Sequence, residues 1–179
     1  MENKLELIKK ILEGLLFAAD EPLSVNQLLK IFAESELALS REELRLILND
    51  LINDYIDSGI ELKEVASGFR FQVREELAPW INKLWHEKPA RYSNALLEIL
   101  ALIAYRQPIT RAEIEEIRGV SLSSNIMHTL LEREWIAIVA HKEVPGRPAL
   151  YATTEKFLDY FNLKSLEELP IPSNEEQHV

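Results

Sequence analysis

The sequence predicts a mainly α-helical protein carrying small β-hairpins, built as two tandem copies of one domain. Three observations predict it. Residues 96–119 read as a helix, a short extended piece and a second helix, the same pattern occurs without gaps 86 residues earlier, and each copy is followed by a pair of strand-like stretches.

In the later copy, Leu96, Ile99, Leu100 and Ile103 fall at helical spacing, and Pro108 lacks the N–H that a continuing helix needs. Thr110 and Glu113 have the spacing of a capping box, which starts a second helix there. Arg118 places a cation in its last turn, and Gly119 can take the left-handed conformation beyond it. At the 86-residue offset, Leu15-Leu16-Phe17-Ala18 matches Ala101-Leu102-Ile103-Ala104, and Glu21-Pro22-Leu23-Ser24 matches Gln107-Pro108-Ile109-Thr110. Ser24 and Gln27 form the corresponding capping box. That period is too long for a solenoid unit and suits a small domain.

The first helix, about Lys4 to Ala19, is expected to bury Leu5, Ile8, Leu12, Leu15, Leu16 and Ala19, with a close helix contact at Gly14. Ser24 caps a second helix to about Ala33, and the Ser40–Glu43 box opens a third from Arg41 to Asp57, closed by Gly59. Leu44, Ile47, Leu48, Leu51, Ile52 and Tyr55 form an unbroken apolar stripe on that third helix. Residues 60–65 and 69–74 alternate apolar with polar around Ala66-Ser67-Gly68, a β-hairpin. Three helices and a hairpin are the parts of a winged helix. A further helix spans about Glu75 to Trp85, with Pro79 in its first turns, and residues 87–91 form the linker.

The second copy repeats the order. Ser93 or Asn94 caps a helix to Tyr105, followed by helices Arg111 to Arg118 and about Ser124 to Glu134. Strands follow over 135–140 and 149–153, separated by the stiff, turn-prone wing Lys142-Glu143-Val144-Pro145-Gly146-Arg147-Pro148. Thr154 opens a last helix to Phe161, with Asn162 in the left-handed closing position, and Ser165 caps a turn over 166–169. The domains are therefore 1–88 and 89–170, and the polar, acidic tail 171–179 is expected to be disordered.

Composition narrows the function. The net charge of −10 is shared, with 11 cationic against 17 anionic side chains through Lys88 and 9 against 13 after it, so neither half is a basic module. Cysteine is absent, which removes disulfides, thiol nucleophiles and thiolate metal sites and fits a reducing compartment. No apolar run approaches the ~20 residues that span a bilayer, so a soluble, unexported protein is expected. His86, His128, His141 and His178 lack ligand spacing, and no metal site is expected. Adjacent acid pairs such as Glu115-Glu116 point in different directions on a helix, and no Gly-rich phosphate loop or Gly-x-Ser-x-Gly is present. No catalytic residue and no cofactor are therefore expected.

Trp80, Trp85 and Trp135 are expected as core or edge aromatics, with an interface as the lesser alternative for Trp80 and Trp85 near a domain end. Pro108, Gly119 and Pro145-Gly146 each have a structural use, whereas Arg106, Arg111, Arg118 and Arg147 are not demanded by one. Guanidinium groups suit phosphates or partner carboxylates, and an acidic chain favours the protein partner. The third helices, which would enter a DNA groove, carry Glu42, Glu43, Asp50 and Asp54 in one copy and Glu132 and Glu134 in the other. Neither resembles a reading head, and no specific binding of duplex DNA is expected.

Residues 105–120 (Tyr105-Arg106-Gln107-Pro108 through Val120) and Pro145-Gly146-Arg147-Pro148-Ala149-Leu150-Tyr151 resemble the signature stretches of the segregation and condensation protein B family of bacterial chromosome-segregation proteins. Thr153-Thr154, Phe157-Leu158 and residues 163–170 extend the resemblance over nearly the whole chain. It departs at Ala152 and Asn162, where the family usually has glycine. The resemblance implies tandem winged-helix domains and a homodimer formed mainly by the N-terminal ones. It also implies binding of the kleisin subunit, segregation and condensation protein A, and through it indirect contact with an SMC ATPase. A cytoplasmic, nucleoid-associated, non-enzymatic accessory subunit follows, with a winged-helix DNA-binding transcriptional regulator as the rival.

Two surfaces are expected on this reading. The apolar stripe Leu44, Ile47, Leu48, Leu51, Ile52 and Tyr55 is expected to serve dimerisation. Partner binding is expected across Tyr105, Arg106, Gln107, Pro108, Arg111, Ile114 and Arg118, together with Val144, Pro145, Gly146, Arg147 and Tyr151.

Overall fold

The structure is a computed structural model that describes residues 2–33, 35–85 and 92–170. It divides into two compact units, Met1–Pro89 and Ala90–Val179. The expectations for the Trp85 side chain, His86, the linker 87–91, His178 and the tail 171–179 lie outside the described residues. Both units are mostly helical with a small antiparallel sheet.

The first unit runs α1 (Glu2–Ala18), α2 (Val25–Ala33), α3 (Arg41–Asp54), β1 (Ile60–Val65) and β2 (Gly68–Val73), then a 3-10 turn, Glu75–Leu77, and α4 (Ala78–Trp85). Its starts are set by local chemistry. Ser24 Oγ accepts from Gln27 N while Gln27 Oε1 accepts from Ser24 N, and Ser40 and Glu43 make the same reciprocal pair. Ile8, Leu12 and Leu16 of α1 pack with Leu28 and Phe32 of α2, four residues of α3, and Leu62 and Phe69 of the hairpin. A Tyr55 hydroxyl bond to the Glu13 carboxylate and the Lys9 ion pairs to Asp50 and Asp54, at 2.8 and 2.5 Å, hold α1 to the end of α3.

Several expectations are corrected here. Leu44, Ile47, Leu48 and Leu51 are buried and Ile52 and Tyr55 pack against the same cluster, so the stripe offered for dimerisation is the unit's own core. An apolar stripe at helical spacing shows that a helix is packed, not against which chain. Leu5 is 44% exposed instead of buried. No atom lies within 4 Å of a Cβ built on Gly14, so no close helix contact explains that glycine. The third helix stops at Asp54 with Tyr55 as its C-cap, four residues before Gly59. The glycine that the fold does require is Gly68, where a Cβ would overlap the backbone of Leu23.

The second unit runs α5 (Asn94–Arg106), β3 (Ile109–Thr110), α6 (Arg111–Arg118), α7 (Ser124–Glu132), β4 (Ile136–His141), β5 (Ala149–Thr153) and α8 (Glu155–Tyr160), with a 3-10 turn at Leu166–Glu168. Ser93 caps α5, and Gly119 closes α6 at φ 68°. The third helix of this unit ends at Glu132 instead of Glu134, because Glu134 itself turns left-handed at φ 55°. Asn162 takes its expected closing position at φ 58°. The core gathers Ile99, Leu100 and Ile103 of α5 with Ile114, Leu130, Trp135 and Phe157.

The sequence repeat has a structural counterpart. In the first unit Leu23, the residue after Pro22, exchanges two 2.9 Å backbone hydrogen bonds with Phe69 of β2. In the second, Ile109 after Pro108 pairs with Tyr151 of β5 and Thr110 with Leu150, giving the strand order β3-β5-β4. In each unit the turn between the first two helices thereby pairs with the hairpin, as a single bridge in the first and as a short third strand in the second.

Candidate functional site

The residues between α5 and α6 and the loop between β4 and β5 lie far apart in the chain, and the sheet brings them together. Ile109 and Thr110 hydrogen-bond to β5 just beyond the 142–148 loop, as the strand register shows. Gln107, at the C-cap of α5, donates from Nε2 to Ala104 O at 3.0 Å and accepts at Oε1 from Thr153 N at 2.6 Å and Thr153 Oγ1 at 3.0 Å. The Gln107–Pro108 peptide is cis.

Glu113 is the second tie. One carboxylate oxygen accepts from Thr110 N at 2.8 Å and Thr110 Oγ1 at 2.7 Å, closing the capping box that opens α6. The other accepts from Lys142 Nζ at 2.7 Å, which joins the β4–β5 loop to the helix. The Lys142 ammonium, followed by the Thr110 amide and hydroxyl, holds the Glu113 carboxyl down at about 2. The loop itself is stiffened by hydrogen bonds from Lys142 N to Pro148 O and from Arg147 N to Val144 O, both 2.9 Å, with Gly146 at φ 85° and Arg147 at φ 39°.

The four arginines separate into two pairs. Arg111 bonds to Glu115 and Ser124, each at 3.2 Å, and to the Leu122 carbonyl, so it ties α6 to the following loop. The Leu122 amide and then Arg111 hold the Glu115 carboxyl below its usual range. Arg118 is 13% exposed at its side chain and bonds to Glu98 of α5 at 2.8 Å. Both therefore have scaffold contacts that spacing alone did not reveal. Arg106 is exposed and lines a shallow groove of about 290 Å³ with Pro108, Ile109, Glu113, Glu116 and Ile117. Arg147 is 72% exposed at its side chain and touches Glu143 at 3.2 Å.

Among the remaining expected residues, Tyr105 is 41% exposed and donates its hydroxyl to Pro170 O at 2.5 Å. Val144, Pro145 and Gly146 are exposed, while Tyr151 is half-buried against the core. Ile114 is fully enclosed in that core, and it cannot contribute to a surface. Its neighbour Ile117, one turn further and 52% exposed, lies on the groove instead. Spacing alone did not separate the two, because residues three apart share one face of a helix. Lys142 was the residue missed, because its partner lies 29 positions away.

The groove lined by Arg106, Pro108, Ile109, Glu113, Glu116 and Ile117 mixes apolar area with one guanidinium group and two carboxylates. Among the described residues, no group of three or more His, Cys, Asp or Glu is placed to hold a metal ion. No helix among them is long and apolar enough to cross a membrane.

A family model for the segregation and condensation complex subunit ScpB matches residues 10–172. A segregation and condensation protein B homolog from Coxiella burnetii is 57% identical over 162 residues, covering 90% of this chain and 77% of that one. Segregation and condensation protein B from Bacillus subtilis is 43% identical over 175 residues, covering 96% and 86%. The crystal structure of ScpB from Mycobacterium tuberculosis is 31% identical with a TM-score of 0.42, covering 89% of this chain and 97% of that one.

Proposed function

The chain belongs to the family of the segregation and condensation complex subunit ScpB, and on that premise we propose that it is the non-enzymatic accessory subunit of a bacterial SMC–kleisin condensin complex. Its role is to bind the kleisin, segregation and condensation protein A, in chromosome condensation and segregation, reaching the SMC ATPase through it in the nucleoid-associated cytoplasm. The first unit, read as domain 1–88, and the second, read as domain 89–170, are each winged helices: α1–α3 with β1–β2, and α5–α7 with β3–β5. The first pairs two copies of the chain and the second takes the kleisin.

The observation that carries the kleisin surface is the joining of residues 106–118 to the β4–β5 loop by β3–β5 pairing and the Lys142–Glu113 contact. It leaves Arg106 and Arg147 exposed beside apolar area, the residue types that dominate interface energies. The partner segment is apolar with acidic flanks. The DNA-regulator reading loses support on α3, where Asp50 and Asp54 add negative charge to Glu42 and Glu43 and are engaged with Lys9.

Calorimetric titration of the full chain with the middle segment of the kleisin tests the reading. Arg106→Ala and Arg147→Ala are each expected to weaken binding by roughly thirtyfold, the size of a hot-spot truncation. Unchanged binding by both folded variants would place the kleisin elsewhere.

A further inference from the structure

Away from that surface, at the end of α7, one arginine lies over aromatic rings with no carboxylate among the described residues bonded to it. The Arg133 guanidinium carbon lies 4.8 Å from the centroid of the Tyr92 ring and 5.3 Å from that of Trp135. Those two rings meet edge to face at 5.1 Å, Trp135 contacts Tyr160 at 4.5 Å, and the Tyr92 and Tyr160 hydroxyls are 3.1 Å apart. The cluster is therefore cross-braced, and the arginine's planar group has a fixed platform.

The backbone that sets this up is strained. Helix α7 ends with Glu134 N donating to Leu131 O at 2.9 Å and Trp135 N to Leu130 O at 3.0 Å, the hydrogen-bond pattern of a Schellman motif. The left-handed position is filled by Glu134, at φ 55°, where glycine is the usual residue. Glu134 nevertheless has work there: its carboxylate pairs with Lys156 and its carbonyl accepts from the Thr154 hydroxyl. On the other side of Arg133, Glu132 contacts His128 at 3.2 Å. Both flanking carboxylates are thus turned to other groups, and no carboxylate among the described residues bonds to Arg133.

We propose that Arg133 on its Tyr92–Trp135 platform is a docking site for a single carboxylate, carried between apolar side chains on an acidic segment of a partner protein. The planar guanidinium offers a two-pronged donor edge to a carboxylate, and its place over two braced rings lowers the entropy lost on engagement. Tyr160 and Phe161, 49% and 37% exposed, give the apolar rim that the neighbouring side chains of such a segment would cover. A nucleic acid fits poorly. Its repeated phosphates need several cations in a row, and the platform presents a single arginine. This site is independent of the kleisin surface proposed above.

The test is a nuclear magnetic resonance titration of the full ¹⁵N-labelled chain, following the Arg133 Nε–Hε signal. The probe is the blocked tripeptide acetyl-Leu-Asp-Leu-amide, with acetyl-Leu-Asn-Leu-amide and a short mixed-sequence DNA duplex as the other arms. The Asp peptide is expected to shift the signal saturably, with a dissociation constant on the order of 1 mM, and the Asn peptide to bind about tenfold more weakly. Tyr160 ring signals should move with it. Arg133→Gln should abolish the Tyr160 shifts, Arg133→Lys should weaken them despite keeping the charge, and Arg106→Ala should leave the titration unchanged. Equal binding of the Asp and Asn peptides, no shift with either, full binding by the Gln variant, or stronger engagement of the duplex would each overturn the proposal. Near-ultraviolet circular dichroism of the variants reports whether the aromatic cluster has kept its packing.

Discussion

Lys142 Nζ lies 2.7 Å from Glu113 Oε1 while the other oxygen of the same carboxylate receives the Thr110 amide and hydroxyl. One side chain therefore closes the N-terminus of α6 and pins the β4–β5 loop to it. The proposed kleisin surface, which takes in Arg106 and Arg147, depends on this tie.

Removing the charge should show in a pH-dependent way. The folded-state value of about 2 lies below the ordinary 4.5, so the ionised carboxylate stabilises the fold fully above about 4.5, and that contribution fades as pH falls toward 2. Glu113→Gln should lower stability at neutral pH by about 1 kcal/mol or less, since a partly exposed pair is screened by solvent. The gap between variant and parent should close on acidification through that window. Thermal melts of both proteins from neutral to acid pH measure it, and a gap that stays constant would show that the ion has no part in the stability.

Gly14 offers the opposite effect. It sits in the interior of α1 with open space where a Cβ would go, and its backbone is helical. Gly14→Ala should stabilise the protein by about 1 kcal/mol, through the lost freedom of the unfolded chain and better helix propensity. Urea unfolding gives the answer as a higher midpoint at unchanged slope, and a lower midpoint would mean that the glycine has a use in contact with another chain.

The elements most legible in the sequence were those fixed by neighbours in the chain. The capping boxes at Ser24, Ser40 and Thr110 and the closing residues Gly119 and Asn162 involve groups a few positions apart, where spacing alone determines the geometry. The candidate site was half legible. The short extended piece after Pro108 was readable from the proline and the capping box, but its pairing with β5 and the partners of Arg111 and Arg118 were not. Leu122 and Glu98 are reached only after the chain has folded back, and nothing local marks an arginine as a strut. The α3 stripe shows the same limit from the other side, because periodicity reports burial without naming what does the burying.

The proposed homodimer needs apolar area beyond the buried faces of that stripe, and α1 and α3 offer it. Leu5 and Leu46 border a groove of about 590 Å³ with Ile8, Leu39 and Ile47, and Leu46 is 68% exposed. Leu46→Glu should dissociate a dimer formed there while changing the stability of the monomer by no more than about 0.5 kcal/mol. Leu48→Ala, enclosed in the core, should instead lower stability by about 2–5 kcal/mol. Sedimentation equilibrium with parallel urea melts separates the two effects. A Leu46→Glu protein that stays dimeric at micromolar concentration would move the interface off this groove.

The arginines give the sharpest contrast, because four residues of one type divide by contact. Arg111 reaches three partners on two segments and Arg118 is nearly enclosed against α5, so each alanine variant should lose stability, by about 1–2 kcal/mol. Arg106 and Arg147 are exposed, and their alanine variants should melt within about 0.5 kcal/mol of the parent. Kleisin binding should follow the reverse order once measured on folded protein at a temperature well below each midpoint. Arg106→Ala and Arg147→Ala lose affinity directly, whereas Arg111→Ala and Arg118→Ala lose it only as far as the folded fraction falls. If Arg118→Ala were as stable as the parent but bound poorly, its bond to Glu98 would be incidental and the kleisin would have to reach beneath α6, between it and α5.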